Sequence, residues 1–221
     1  MITVIGNLKG GCGKSTITFN LAVWLAAQGQ NVVCFDLDPQ ATLSDVNEVR
    51  MEEGVTPELK IFRPDSNPTK IMRQHVGEVL VDVGASNLWA MRQAIAMADR
   101  VVVPVPPSQA DVWSTARFRD IIAETVAGKK ALPDIYMFIN RADTHPGMRE
   151  AIETQEALRT LAGVTVMENR IFQRTAYRRS FSEGRAVFEL GGDAKAASET
   201  MQLAQALYPE AHKQPRKTGR G

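Results

Sequence analysis

The fold is indicated by the stretch Ile2–Thr16, which reads ITVIGNLKGGCGKST. Four β-branched residues lead into a glycine-rich turn, and a helix-length segment begins directly after it. Glycines let the backbone curl with its N–H groups pointing inward, the helix N-terminus adds positive potential, and Lys14 supplies a mobile cation. The stretch therefore predicts a phosphate-binding turn between a strand and a helix, with Ser15 as a ligand for Mg²⁺.

The turn departs from the common phosphate-binding pattern G-x-x-x-x-G-K-[ST]. Leu8 stands where the first glycine of that pattern would fall, and a second lysine, Lys9, precedes the glycines. The alternative is a glycine-rich turn that binds nothing, but the strand before it and the helix after it favour a phosphate site. A nucleophilic role for Cys12 is a further alternative, because helix N-termini lower the pKa of a thiol. A place in the phosphate cradle is the favoured interpretation for Cys12.

Short apolar strands alternate with helix-length segments along the chain. Runs that are apolar at nearly every position are typical of parallel strands covered by helices on both faces. We therefore predict an α/β fold with a doubly wound, mostly parallel sheet. The predicted strands are Ile2–Ile5, Val32–Leu37, Val79–Val83, Val101–Val105 and Ile135–Ile139, with a weak strand at Leu59–Phe62. The predicted helices are Ser15–Gln28, Trp89–Ala98, Asp111–Ala127, Met148–Ala162 and Ala194–Leu207.

The 221 residues predict a single domain at residues 1–211 and a basic flexible tail at residues 212–221. Gly54–Lys70, which contains three prolines, is predicted to be an irregular connection. Hydrophobic residues at 44% and charged residues at 23% argue against a disordered or fibrous chain. The sequence has neither an apolar run long enough to span a bilayer nor a signal peptide, so a cytoplasmic location is expected. Cys12 and Cys34 lack CxxC spacing, which fits a reducing compartment.

Two acidic boxes accompany the glycine-rich turn. The first, Asp36-Leu37-Asp38-Pro39-Gln40, ends the second predicted strand, and the second, Val79–Gly84, carries Asp82 near the end of the third. Together with Lys9–Thr16, these boxes resemble the deviant Walker A, second acidic and Walker B motifs of the ParA/MinD superfamily of ATPases. The resemblance implies a P-loop NTPase fold that binds ATP and Mg²⁺.

The resemblance also implies roles for individual residues. Lys14 would bind the phosphates, Asp38 would position the attacking water, and Lys9 would reach across a dimer interface to the phosphates of the opposite subunit. These three are the predicted catalytic residues. The predicted nucleotide-binding residues are Gly10, Gly11, Cys12, Gly13, Lys14, Ser15, Thr16 and Asn140.

The predicted Mg²⁺ ligands are Ser15, Asp36 and Asp82, acting directly or through water. Carboxylates at the carboxyl ends of parallel strands face the crevice where ligands bind, which supports this assignment. The alternative, that such carboxylates cap the following helix, is strongest for Asp36.

Three further segments resemble parts of the family. Asn140 follows the fifth predicted strand, where ParA-like proteins contact adenine. Val105–Asp111 resembles a loop of the dimer interface, although its prolines could simply stiffen the chain. Gly84-Ala85-Ser86 would be the switch that senses the γ-phosphate.

Arginines cluster in the C-terminal quarter of the chain. If the segment were helical, those spaced four apart would share one face. The resemblance implies nonspecific DNA binding by this cluster, since basic side chains that contact DNA phosphates release the counterions bound there. A solvated face, or pairing with nearby glutamates, is the alternative. The predicted DNA-binding residues are Arg170, Arg174, Arg178, Arg179 and Arg185.

The resulting functional hypothesis is a ParA-type ATPase, closest to the small ParF-like class. It would form a homodimer on ATP, associate with the nucleoid and be released when a ParB-like or other adaptor stimulates slow hydrolysis. Its cargo would be a plasmid, a chromosome locus or another structure. A MinD-like membrane role is disfavoured because the chain after Tyr208 is polar and broken by proline. A ligase of the dethiobiotin-synthetase kind would not explain Lys9.

Overall fold

The computed structural model describes residues 1–63, 68–145 and 149–213. The strands in these ranges are β1 (Ile2–Ile5), β2 (Val32–Asp36), β3 (Lys60–Phe62), β4 (Glu78–Asp82), β5 (Arg100–Val105), β6 (Asp134–Ala142) and β7 (Thr165–Phe172). The helices are α1 (Lys14–Ala27), α2 (Thr42–Glu52), α3 (Pro68–Gln74), α4 (Leu88–Ile95), α5 (Gln109–Val126), α6 (Glu150–Arg159), α7 (Thr175–Ser182), α8 (Ala194–Leu207) and α9 (Pro209–Lys213). The strands form one sheet of parallel pairs in the order β3-β2-β4-β1-β5-β6-β7.

Helices cover both faces of the sheet. On one face, Phe19 of α1, Leu43 of α2 and Leu203 of α8 belong to one buried apolar cluster. On the other face, Phe118 of α5 and Met91 of α4 belong to a second cluster. The central strands contribute side chains to both clusters, which explains their continuous apolar character. The predicted doubly wound α/β class is confirmed.

Several elements lie outside the predicted set. The strand β7 was missed because it lies at the sheet edge, where polar residues such as Glu168 and Arg170 interrupt the apolar run. The helix α2 buries Leu43 and Val46 at helical spacing, but charged neighbours obscured the pattern. The weak strand near Leu59 is confirmed as β3, whereas α3 occupies the end of the connection predicted to be irregular.

A buried ion pair ties α2 to the segment between α7 and α8. Arg50 is fully buried, and its guanidinium donates to both carboxylate oxygens of Glu189 at 2.8 and 3.0 Å. It also donates to the carbonyls of Pro57 and Gly184, each at 2.9 Å. A buried charge is stable only when it is paired and hydrogen-bonded in this way.

The predicted tail begins within a helix, since α9 continues to Lys213. Residues 214–221 lie outside the described part of the chain, as does Met148, the predicted start of the helix observed as α6. None of the helices described is both long and apolar enough to cross a bilayer.

Candidate nucleotide and magnesium site

The parallel register brings the three sequence motifs to one edge of the sheet. Asp82 at the end of β4 is the register partner of Ile5 on one side and of Asp36 on the other. The glycine-rich turn follows Ile5 directly, and Asp38 follows Asp36 by two residues. The carboxyl ends of β1, β2 and β4 therefore assemble the predicted phosphate and metal residues, as expected for a ligand site in an open parallel sheet.

The glycine-rich turn wraps around Lys14. Its side chain is buried, and its Nζ donates to the carbonyl oxygen of Lys9 at 3.3 Å. Gly11 and Gly13 have φ of 72° and 94°, a region that residues with a Cβ rarely adopt. A Cβ at Gly13 would also clash with the Asn140 amide. The curled loop thus depends on glycine at both positions.

Side chains from the end of β6 fasten the loop from the opposite side. Asn140 Nδ2 donates to the carbonyl oxygen of Cys12 at 2.6 Å, and Arg141 Nη1 donates to that of Gly11 at 2.5 Å. Burial raises the pKa of the Cys12 thiol despite the nearby Lys14 ammonium. A protonated, enclosed thiol is a poor nucleophile, which favours the cradle interpretation of Cys12.

A cavity of about 420 Å³ opens on one side of the loop. Asp38 lies on its wall and accepts a hydrogen bond from the backbone N–H of Gln40 at 2.9 Å. A Cβ at Gly84 would lie 2.7 Å from the Asp38 carboxylate, so this carboxylate rests directly on the predicted switch segment. The cavity lining comprises Gly10, Gly11, Gly13, Lys14, Ser15, Thr16, Asp38, Gln40, Thr42, Ala85 and Ser86.

Asp82 is a buried carboxylate whose two oxygens have no hydrogen-bond partner of standard geometry among the residues that the structure describes. Burial raises its pKa to about 7, the nearby Asp36 and Asp38 act in the same direction, and the Ser15 hydroxyl and Lys14 oppose the shift. An unpaired buried carboxylate beside a hydroxyl and a lysine fits a site for a hard cation. Ser15 and Asp82 would hold Mg²⁺, which would supply counter-charge to the phosphates.

Asp36 has a different environment from Asp82. Its Oδ2 accepts from both the backbone N–H and the hydroxyl of Ser44, each at 2.8 Å, and its Oδ1 accepts from the N–H of Asp38 at 3.2 Å. Both oxygens are therefore engaged in holding the start of α2 and the Asp38 backbone. These contacts favour the capping alternative over direct metal binding by Asp36.

Within the described residues, no group of three or more His, Cys, Asp or Glu side chains could hold a metal ion by itself. Mg²⁺ commonly takes one or two protein ligands and completes its octahedron with phosphate oxygens and water. The pair Ser15 and Asp82 agrees with that pattern, so the metal fits here only together with a nucleotide.

The raised pKa of Asp82 predicts a pH-dependent stability for the nucleotide-free, magnesium-free protein. In the unfolded chain an aspartate ionises near pH 4, so the folded protein binds the extra proton between about pH 4 and 7. Stability should fall as pH rises through about 7, by a few kcal/mol at most. Thermal unfolding between about pH 5 and 8 should show a shallower fall for Asp82→Asn.

Asp45 provides the control for this measurement, because its carboxylate is two-thirds exposed and, among the described residues, forms an ion pair with Arg63 alone. Asp45→Asn should keep the wild-type pH profile. If Asp82→Asn and the wild type lose stability equally over this range, the buried carboxylate is not the cause.

A second cavity of about 420 Å³ opens on the other side of the loop and shares Gly11, Gly13 and Thr16 with the first. Asn140 and Phe172 lie on its wall, so it is the candidate pocket for the base. Arg174 also lines it, over the Phe172 ring and held by Glu199 of α8, with N–O distances of 2.6 and 3.0 Å. The sequence analysis missed Phe172 and Glu199, because both β7 and the pairing across to α8 depend on tertiary structure.

The arginines do not share one helical face, because this stretch is not a single helix. Arg170 lies on β7 and donates to Gln155, Arg174 precedes α7, and Arg178 lies within α7. Arg174 and Arg179 are ion-paired with Glu199 and Glu183. In the part of the chain that the structure describes, Arg178 and Arg185 have no acidic partner.

Lys9 immediately precedes Gly10, which lines the first cavity, and contacts the start of α5. Its Nζ donates to Asp111 Oδ2 at 2.9 Å; the Lys9 side chain is 44% exposed and that of Asp111 is 4% exposed. The Ser108 hydroxyl also donates to Asp111 Oδ2 and accepts from the Asp111 N–H at 3.2 Å. From the sequence, Asp111 was predicted only to end the loop Val105–Asp111 and to begin the following helix, without a functional role of its own.

The nucleotide-binding domain of the CobQ/CobB/MinD/ParA type matches residues 3–187, which include every motif described above. The chain belongs to this family. Relatives of the ParA/MinD branch match this chain over most of its length. This chain is 29% identical to the maintenance of carboxysome distribution protein A of Halothiobacillus neapolitanus over 93% of this chain and 95% of that one. It is 27% identical to protein ParA of Rhizobium radiobacter over 87% and 84% of the two chains.

Solved structures of the ParA/MinD type share the fold. A plasmid partition protein from Borrelia burgdorferi, bound to AMPPNP, superposes with a TM-score of 0.69 at 19% identity and covers 93% of this chain and 98% of its own. The ParA/MinD resemblance of the sequence motifs is thereby confirmed. The protein is a P-loop member of the CobQ/CobB/MinD/ParA family of nucleotide-binding domains.

Proposed function

We propose that the chain is a ParA-type ATPase that binds ATP and Mg²⁺, dimerises in that state, and holds nonspecific DNA as the dimer. The observation that carries the proposal is the convergence of the curled loop, Lys14 and Asp38 on one cavity, at the sheet edge where the unpaired Asp82 ends β4. A loop of this form binds phosphate groups through its N–H groups and its helix N-terminus.

Each of these residues has a separate role in the proposed hydrolysis of ATP. Lys14 neutralises terminal phosphate charge, and Mg²⁺ held with Ser15 and Asp82 supplies further counter-charge. Asp38 has one oxygen accepting from Gln40 and leaves the other for an attacking water. Its contact with Gly84 gives the switch segment a route by which phosphate loss could be sensed.

The base occupies the second cavity in this proposal. Asn140 lies on its wall, and one N–H of its amide fastens the loop, so the amide oxygen and the second N–H are left for the base edge. An acceptor beside a donor matches the exocyclic amino group and neighbouring ring nitrogen of adenine, whereas guanine presents only acceptors there. ATP is therefore the proposed nucleotide.

The DNA-binding surface is narrower in this proposal than the five predicted arginines. Arg178 and Arg185 lack acidic partners among the described residues, whereas Arg174 is held by Glu199 at the base pocket. Unpaired cations release counterions from DNA most effectively, and a dimer doubles the number of contacts. ATP-dependent dimerisation would then switch DNA binding on and place the protein on the nucleoid.

Partner and cargo follow from the relatives. The Halothiobacillus protein is named for carboxysome distribution, and the Rhizobium protein is named ParA. We propose that an adaptor protein, ParB-like or of another kind, stimulates hydrolysis and links the cycle to a plasmid, a chromosome locus or a compartment. MinD-like positioning is the second candidate, favoured by the shared fold. The family match and the role proposed for Lys9 make a metabolic ligase a weaker candidate than either of these two functions.

Light scattering of the purified protein tests the proposal directly. With Mg²⁺ and ATP, or AMPPNP, we expect the mass of a dimer, and with Mg²⁺ and ADP the mass of a monomer, because only the triphosphate supplies the terminal group that Lys9 would contact. Lys9→Ala is the matched variant, and it should stay monomeric with every nucleotide. An unchanged wild-type mass under ATP contradicts the proposal.

A further inference from the structure

We propose that Asp111 is a positioning residue that holds Lys9 within its own subunit and sets the threshold for dimerisation. This inference rests on the proposed function, because it concerns the lysine assigned to the dimer contact. Among the described residues, Lys9 has one ionic partner: its Nζ lies 2.9 Å from Oδ2 of Asp111, which belongs to the same chain. Lys9 cannot contact the phosphates of a second subunit while its ammonium remains on this carboxylate.

The two halves of the pair have different environments. The Asp111 carboxylate is nearly buried, whereas the Lys9 side chain is 44% exposed. The carboxylate is therefore the fixed member and the lysine the mobile one. Lysine suits this role because its flexible stem carries a compact charge with three donors.

The pair can open without leaving an isolated buried charge. Asp111 lies in the first turn of α5, where the helix N-terminus favours negative charge. The Ser108 hydroxyl donates to the same oxygen that Lys9 contacts, Oδ2, and this bond remains when Lys9 leaves. The cost of opening is thus lower than for a buried pair with no other support.

A bound triphosphate is a stronger competitor for Lys9 than a single carboxylate. Its terminal group carries more negative charge, and the attraction grows with that charge. The lysine would therefore leave Asp111 only when a second subunit presents a triphosphate. Asp111 in this view suppresses dimerisation below a threshold protein concentration, so that monomers persist until ATP-bound chains accumulate.

The other oxygen of Asp111 supports a role beyond helix capping. Asp111 Oδ1 is buried and has no hydrogen-bond partner among the described residues. The same holds for the hydroxyl of Thr115, one turn along α5. The cap itself uses only Oδ2 and the Ser108 hydroxyl. An asparagine could keep that cap, so a buried charge here is needed for Lys9 and not for the helix start.

The test is the monomer–dimer equilibrium of Asp111→Asn, measured by sedimentation across a protein concentration series with Mg²⁺ and AMPPNP. Asparagine keeps the shape and the capping capacity but removes the charge that holds Lys9. We expect the variant to dimerise at about tenfold lower concentration than the wild type, because neither of the two subunits has to break a modest ion pair on dimerisation. In the Lys9→Ala background, Asp111→Asn should have no effect.

Asp120→Asn is the matched control, since it removes the same charge from the same helix. The Asp120 carboxylate is exposed, and its one ion pair among the described residues is with its neighbour Arg119. The control variant should dimerise like the wild type. A merely structural Asp111 would lower the unfolding temperature without strengthening dimerisation, so thermal unfolding is measured alongside.

The outcomes separate this inference from the proposed function. A wild type that dimerises on AMPPNP, with Asp111→Asn dimerising equally or more weakly, sustains the proposed function and overturns the role of Asp111. A wild type that stays monomeric while Asp111→Asn dimerises supports the role of Asp111. If neither protein dimerises, both are overturned.

Discussion

Replacing Asp38 by alanine is expected to slow ATP hydrolysis by at least about a hundredfold while ATP binding persists. The reason is geometric, because the Asp38 carboxylate lies on the wall of the phosphate cavity and, among the described residues, no hydrogen bond joins it to Lys14. In the proposed mechanism its removal takes away the group that orients the water and leaves the phosphate cradle in place. The dimer formed on ATP should therefore persist, and light scattering over time should show no return to monomer.

Asp45→Ala provides the comparison for Asp38→Ala, since Asp45 belongs to α2, the helix that follows Asp38, and is exposed. It should hydrolyse ATP at the wild-type rate and release its dimer normally. Turnover by Asp38→Ala close to that of the wild type would remove Asp38 from the catalytic role. An unchanged mass of Asp38→Ala under ATP would contradict the dimerisation scheme as a whole.

Loss of DNA retention is the expected result of combining Arg178→Ala with Arg185→Ala. In a dimer the double variant removes four cations, and each phosphate contact contributes about 0.9 to the slope of log affinity against log salt. The slope should therefore fall by about 3 to 4, and the affinity at about 0.1 M salt should fall at least about a hundredfold. Fluorescence anisotropy with duplex DNA, across a salt series and with AMPPNP present, measures both quantities.

The control for charge is the double variant Arg63→Ala with Arg92→Ala. Both arginines are already paired with acidic side chains, so the same number of positive charges is removed from positions that have little to offer DNA. ATP turnover is measured on both variants, because Arg178 also lines the base pocket. Equal loss of DNA binding and of turnover in Arg178→Ala with Arg185→Ala would assign these arginines to the nucleotide.

The central sheet was predictable because its strands carry the signal in their own composition. The cores of β1, β2, β4 and β5 are apolar at nearly every position, since helices cover both of their faces. β7 has one neighbouring strand and carries Glu168 and Arg170, so its pattern resembles a loop or a helix. The arginine spacing alone could not show that a strand, a turn and a helix occur here.

The site was predictable to the extent that it follows contiguous motifs. Position after a strand placed the glycine-rich turn, Asp38 and Asp82 correctly at the sheet edge. The partners of those residues were not predictable, because Asp111, Ser44 and Glu199 lie on other elements and carry no motif that links them to the site. Sequence alone also could not separate Asp36, which is fully hydrogen-bonded, from Asp82, which is not.

The strand order determines when during folding a ligand can first be held. The two cavities take their walls from segments after β1, β2, β4 and β6 and from the turn between β7 and α7. Parallel neighbours require long crossovers, so these segments meet only after non-local strand pairing. An incompletely folded chain lacks these walls, and a ligand that binds only the folded state stabilises that state alone. If the chain binds ATP as proposed, ATP would therefore favour completion of the fold as well as drive the cycle.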